Sequence, residues 1–144
     1  MIYPTTSKTA LVTAPAAAVN NAAVVCSSVD RKGFDYAVFT LILGATDANL
    51  TACKMQESDD NSTWSDVSGL DFSVSPNSLP RNTDSNHLFA WDIDLRGRKR
   101  YLRPAITVGS GSTGAFVTVI AELHRAEQTP STAAARGLTG NVAA

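Results

Sequence analysis

From Ala22 onward, apolar and polar residues alternate with a period of two, broken at short intervals by turn residues. Alternation of this kind puts successive side chains on opposite faces of a strand. "AAVVCSSV" (22–29) reads as a strand and "RKGFD" (31–35) as the turn after it. "YAVFTLIL" (36–43) is almost wholly apolar, the pattern of a central strand covered on both faces. "GATDAN" turns the chain into "LTACKMQE" (50–57), where Cys53 and Met55 alternate with Lys54 and Gln56. "LDFSV" (70–74) runs into "SPNSLPRNTDSN", a loop dense in Pro, Asn and Ser. In "HLFAWDIDL" (87–95), Phe89, Trp91, Ile93 and Leu95 point one way while Ala90, Asp92 and Asp94 point the other. "YLRPAITV" (101–108) and "AFVTVIAEL" (115–123) complete the set, separated by "GSGSTG".

No window longer than two turns has helical periodicity outside the termini, and seven or eight short strands between turn signals predict an all-β fold. The expected architecture is an antiparallel β-sandwich, jelly-roll-like, over residues 21–124. The flanks, 1–20 and 125–144, hold mostly Ala, Thr, Ser and Gly. They bury too little apolar area to offset about 1–2 kcal/mol per ordered backbone residue, so they are either disordered in solution or arms that order against a neighbour. The arm reading is carried forward.

Composition narrows the class. At 144 residues the chain is one domain, long enough to bury about 68–70% of its unfolded surface. Its apolar share is 44% and its charged share 17%, so Ser, Thr, Ala and Asn occupy positions where Lys and Glu usually stand. Such surfaces lose less side-chain entropy when covered by a partner. A net charge of −1 gives no general attraction to nucleic acid or anionic membrane. The first residues lack the basic-then-apolar layout of a signal peptide, and synthesis in a reducing host cytoplasm is expected. Cys26 and Cys53 lie in strand-like runs and are expected as free, buried thiols.

Two clusters are candidates for contact. "CKMQESDDNSTWSDVSG" (53–69) gathers Glu57, Asp59, Asp60 and Asp66 about Trp64. It fails as an EF-hand loop, because Trp64 stands where the turn needs Gly and Leu70 where a bidentate Glu is required. A hairpin turn with Asp59 and Asp60 at its tip is expected instead, with Trp64 opening the returning strand. "RGRKRYLR" concentrates Arg98, Lys99, Arg100 and Arg103 at a turn, and Arg103 shares a strand face with Tyr101. These six residues are the expected partner contacts, with Arg103 placed to form a salt bridge across an interface. No P-loop, G-x-S-x-G or H-x-x-x-H spacing occurs, so no catalytic, cofactor or metal residue is assigned.

The strings "ESDDNSTW" and "KRYLRPAITVGSGSTGAFVTVIAEL", across about residues 35–123, resemble small β-sandwich structural proteins of tailed bacteriophages. The nearest in size and layout are the jelly-roll cement, or decoration, proteins of the capsid. That resemblance implies a non-enzymatic virion protein on the capsid exterior that stabilises the head by binding across major capsid protein subunits. It implies self-association too, with a homodimer preferred and a trimer as the alternative. A head–tail joining or tail protein is a rival within the class. A carbohydrate-binding module using Trp64, Trp91 or Tyr101 is a rival outside it.

Overall fold

The computed structural model describes residues 7–127, 130 and 132–140. Among the described residues nine strands follow in order: β1 (Lys8–Thr13), β2 (Ala22–Ala23), β3 (Val29–Asp30), β4 (Phe34–Thr46), β5 (Leu50–Ser58), β6 (Ser65–Asp71), β7 (His87–Asp94), β8 (Tyr101–Val108) and β9 (Ala115–Ala126). All pairings are antiparallel. One sheet, here sheet A, has the order β1-β9-β4-β7. Sheet B has the order β2-β8-β5-β6, with β3 also on β8.

The pairings are nested: β1 with β9, β2 and β3 with β8, β4 with β7, and β5 with β6. The chain is one long hairpin, rolled so that β4 also joins β9 and β5 also joins β8. This is the jelly-roll arrangement, with β2 and β3 together acting as a single interrupted strand. The expected fold class is the observed one.

The interruption has a local cause. Residues 22–29, expected as one strand, pair with β8 only at their two ends. Between them Ile106 turns its carbonyl to the Val24 N–H, at 2.9 Å. Pro104, two residues earlier on the same strand, therefore faces the same edge and has no N–H to give. The chain leaves β8 there and crosses to β1, where the Ser27 N–H donates to the Val12 carbonyl at 2.9 Å and Thr13 Oγ1 donates to the Val25 carbonyl at 3.0 Å. That crossing closes one side of the sandwich.

Inward positions of both sheets make one core, with Phe39, Leu41, Leu43, Met55, Leu102, Ile106, Val119 and Leu123 among its most buried members. Trp91 closes the opposite side. Its ring packs edge-on against Phe72 with centroids 5.2 Å apart, and its indole N–H donates to the Leu70 carbonyl at 3.2 Å. Both cysteines are free, and burial pushes the Cys53 thiol up to about 12.

The ends of the sandwich differ from the expected 21–124. β9 continues to Ala126, and Lys8–Thr13, assigned to an arm, is the edge strand of sheet A. Small and polar side chains hid β1 from the pattern, since only Val12 and Thr13 are buried. Part of the C-terminal stretch lies along the free edge of that strand, where the Thr9 N–H donates to the Arg136 carbonyl at 2.8 Å. A covered edge cannot recruit another strand at that position. Residues 1–6, 128–129, 131 and 141–144, which belong to the expected arms, lie outside the described residues.

Candidate contact surface

The strand ends sort the charges. Loops 31–33, 59–64 and 95–100 all emerge at the end of the sandwich where β4, β6 and β8 begin and β5, β7 and β9 finish. The acidic hairpin and the basic turn, about 40 positions apart in sequence, therefore meet. Lys99 Nζ stands 3.9 Å from Asp59 Oδ2, and Arg98 Nη1 stands 3.7 Å from Glu57 Oε1. The Lys99 N–H also donates to Glu57 Oε2 at 3.1 Å. Arg31 buttresses the same turn from below, with Nε donating to the Lys99 carbonyl at 3.1 Å and Nη2 to the Arg98 carbonyl.

Asp60 shapes the hairpin tip. Its carboxylate accepts from the N–H groups of Thr63 (2.7 Å) and Ser62 (2.9 Å), and from the hydroxyls of Ser58 (2.8 Å) and Thr63 (3.0 Å). The two backbone donors chiefly, with the Ser58 hydroxyl, hold its carboxyl well below the usual carboxylate range. The Asx-type turn expected for this stretch is present, and the Asp60 carboxylate holds it together.

The other basic residues are held on the outer face of sheet B. Arg100 forms a forked pair with Asp30, closest at 2.8 Å, and this pair draws the Asp30 carboxyl below its ordinary value. Arg103 stands over Trp64, its Cζ 4.2 Å from the ring centroid, and donates to Gln56 Oε1 at 3.2 Å. Trp64 stands at the mouth of β6, as expected, and its ring supports an arginine. Arg103 thus makes its described contacts within the chain. Of the six, Asp59, Asp60 and Arg100 are exposed, while Arg98 and Lys99 are half-buried, and Asp59, Arg98 and Lys99 sit together.

Sequence reasoning named Glu57 only as one acid of the hairpin, and it missed Asp30 and Arg31, the other partners that fix this end. Their types gave no signal, because each is one charged residue beside a strand end and its partner comes from another loop. Among the described residues, no group of three or more His, Cys, Asp or Glu side chains could hold a metal ion. Of the rings assigned to a sugar platform, Trp91 is 3% exposed, while Trp64 and Tyr101 each carry an arginine over the ring.

Acid should loosen this end before it touches the core. Asp30, Asp60, Asp66 and Asp94 all have carboxyls held below the ordinary value, Asp94 at about 2 through its pair with Arg96. The unfolded value is about 3.9, so their stabilisation is full above that pH and is lost as pH falls through the folded values. The melting temperature is expected to be flat between pH 7 and pH 5 and to drop below pH 4. A melting temperature unchanged down to pH 2.5 would contradict this.

The fold and these surfaces define a small jelly-roll β-sandwich protein with one charged end. No protein-family model matches the chain, and no curated protein matches it. Among solved structures, it is similar to the SPBc2 prophage-derived protein YomS, with a TM-score of 0.54 and 18% sequence identity. The match covers 83% of this chain and 93% of that one, so the two share the fold over nearly their full length.

Proposed function

We propose that the protein is a structural component of a phage virion, a cement protein that sits on the capsid exterior and binds across major capsid protein subunits. The observation that carries this reading is the near full-length likeness to a prophage-derived protein of the same fold. The surface supports it. The chain is only 17% charged, and a surface poor in long charged side chains loses little side-chain entropy on burial. In this reading the Asp59, Arg98 and Lys99 end meets the capsid, where charges steer encounter and set register.

The test is to purify particles from cells making the phage that encodes the chain and to measure its copy number and position. Stoichiometric protein on the head supports the reading, and its absence from purified particles overturns it. Label confined to the neck or tail transfers the protein to the head–tail or tail class. On heads stripped of the protein, Arg98→Glu with Lys99→Glu is expected to weaken rebinding by about tenfold and to flatten its salt dependence. Unchanged rebinding would remove the charged end from the contact.

A further inference from the structure

The edges of the two sheets are not equally protected. On one side, part of the C-terminal stretch lies along β1, and the crossing from β8 closes the gap between the sheets. On the other side β6 ends sheet B and β7 ends sheet A. β6 is broken in its middle. Between the Lys54–Asp71 and Gln56–Asp66 pairs, Val67, Ser68, Gly69 and Leu70 stand against Met55 alone, and Gly69 has φ of +82°. Bulges of this kind spoil an edge for further pairing. β7 has no such break. Its register with β4 is continuous from His87 to Asp94, with neither Gly nor Pro.

Register fixes which way each β7 residue turns its main chain. The Leu95 N–H donates to the Asp35 carbonyl at 2.9 Å, so that pair turns its main-chain groups toward each other. Antiparallel pairs alternate, so Ile93 and Trp91 also turn theirs to β4, whereas Asp94, Asp92 and Ala90 turn theirs to the free edge. The far edge of the sheet gives the same answer. Thr9 turns its N–H outward to Arg136, so its opposite Glu122 faces β4, Val38 faces β9, and Asp92 faces away from β4. Among the described residues, the N–H and carbonyl groups of Ala90, Asp92 and Asp94 have no hydrogen-bond partner, and all three residues are exposed.

We propose that the free edge of β7 is a strand-addition site for an extended segment of another protein, with Lys or Arg opposite Asp92 and apolar side chains on either side of it. Three observations choose this occupant. The first is the main chain: Ala90 to Asp94 offers about 17 Å of edge, at about 3.4 Å per residue, with alternate donors and acceptors bare. The second is the trough between the two edges, where the half-buried Leu70 and Phe72 lie beside Ala90 and Trp91 and give inward side chains of an added strand an apolar floor. The third is charge. Asp71 and Asp92 stand on opposite lips of that trough. Asp92 accepts from Tyr36 Oη at 3.3 Å and Asp71 from the Ser73 N–H at 2.8 Å, and among the described residues neither is in an ion pair. A second copy's β7 is the poorer occupant, because antiparallel pairing about Asp92 sets two carboxylates opposite each other. The inference stands on the edge alone and does not depend on the virion reading.

The test uses the purified full chain and a capped peptide, Val-Thr-Val-Lys-Val-Thr-Val, added up to about 1 mM, with amide exchange and chemical shifts read residue by residue. The peptide is expected to slow exchange at Ala90, Asp92 and Asp94, and to bind about fivefold tighter than the same peptide with Glu in place of Lys. Asp92→Lys, at an exposed site, should reverse that preference. Ala90→Pro removes one outward N–H and no bond to β4, so it should leave the circular dichroism unchanged while weakening the peptide at least about tenfold. Should Ala90→Pro unfold, the exchange pattern and Asp92→Lys decide. No binding by about 1 mM overturns the proposal, as do protection confined to other strands, equal binding of the Glu peptide, or binding that a folded Ala90→Pro leaves intact. A dimer of the chain alone that Ala90→Pro dissolves also overturns it, and assigns the edge to a second copy.

Discussion

Trp91→Ala is expected to destabilise the fold by about 3–5 kcal/mol, the usual range for removing a buried large aromatic side chain. The residue is 3% exposed on β7 and pointed into the core. Three losses coincide there. A cavity opens between the sheets, the edge-on contact with Phe72 disappears, and the Leu70 carbonyl loses the indole donor at 3.2 Å. Leu70 and Phe72 belong to the end of β6 and the turn after it, so Trp91 ties the edge of sheet B to the edge of sheet A. Trp91→Phe separates these terms. It keeps most of the apolar volume and forfeits the hydrogen bond, with an expected cost of about 1–2 kcal/mol. Urea unfolding at fixed pH measures both. If Trp91→Ala lost less than about 1 kcal/mol, the ring could not be the closing element described.

Five of the nine strands among the described residues were legible from the apolar pattern, four from alternation that records the buried face and β4 from its almost unbroken apolar run. β4, β5, β7, β8 and β9 fall where the apolar periodicity puts them. β1 escaped notice because its contribution is mostly backbone pairing to β9 by Thr9, Ala10 and Leu11, and hydrogen bonds leave no hydrophobic signature. The division of residues 22–30 depends on Pro104, some 80 positions away, which no local pattern contains. Strand order was equally hidden, since alternation fixes a face and not a neighbour.

The surfaces divide along the same line. Composition located the acidic hairpin and the basic turn as charged loops, but their meeting follows from the rolled topology, which brings the end of β5 beside the start of β8. The pairing of Arg103 with Trp64 and Gln56 is a cross-strand effect on one sheet face. The double-sided apolar character of β4 was legible from the start. Among the described residues, however, only its inward face is covered, and Val38, Thr40 and Ile42 stand on the outer face of sheet A.

Gly114→Ala is expected to cost at least about 3 kcal/mol, far more than alanine usually costs at a turn glycine. Gly114 has φ of +98°, and an added Cβ would lie 2.1 Å from the Val19 carbonyl oxygen. That oxygen accepts from the Ala115 N–H at 2.9 Å, and the Val19 N–H donates back to the Ala115 carbonyl at 2.9 Å. The methyl group must therefore break a reciprocal pair that anchors the 14–21 loop to the start of β9. It also disturbs the Asp47 carboxylate, which accepts from the N–H groups of Gly114 and Thr113, both at 2.8 Å. Gly97 provides the control, because its φ is +79° but an added Cβ there meets nothing within 4 Å. Gly97→Ala isolates the backbone cost and should lose only about 1 kcal/mol. The difference between the two variants measures the close approach. Faster amide exchange at Val19 and Ala115, in Gly114→Ala alone, would localise the damage to that bridge. Equal stability of the two variants would mean that the loop yields freely, and that the Val19 bridge holds nothing in place.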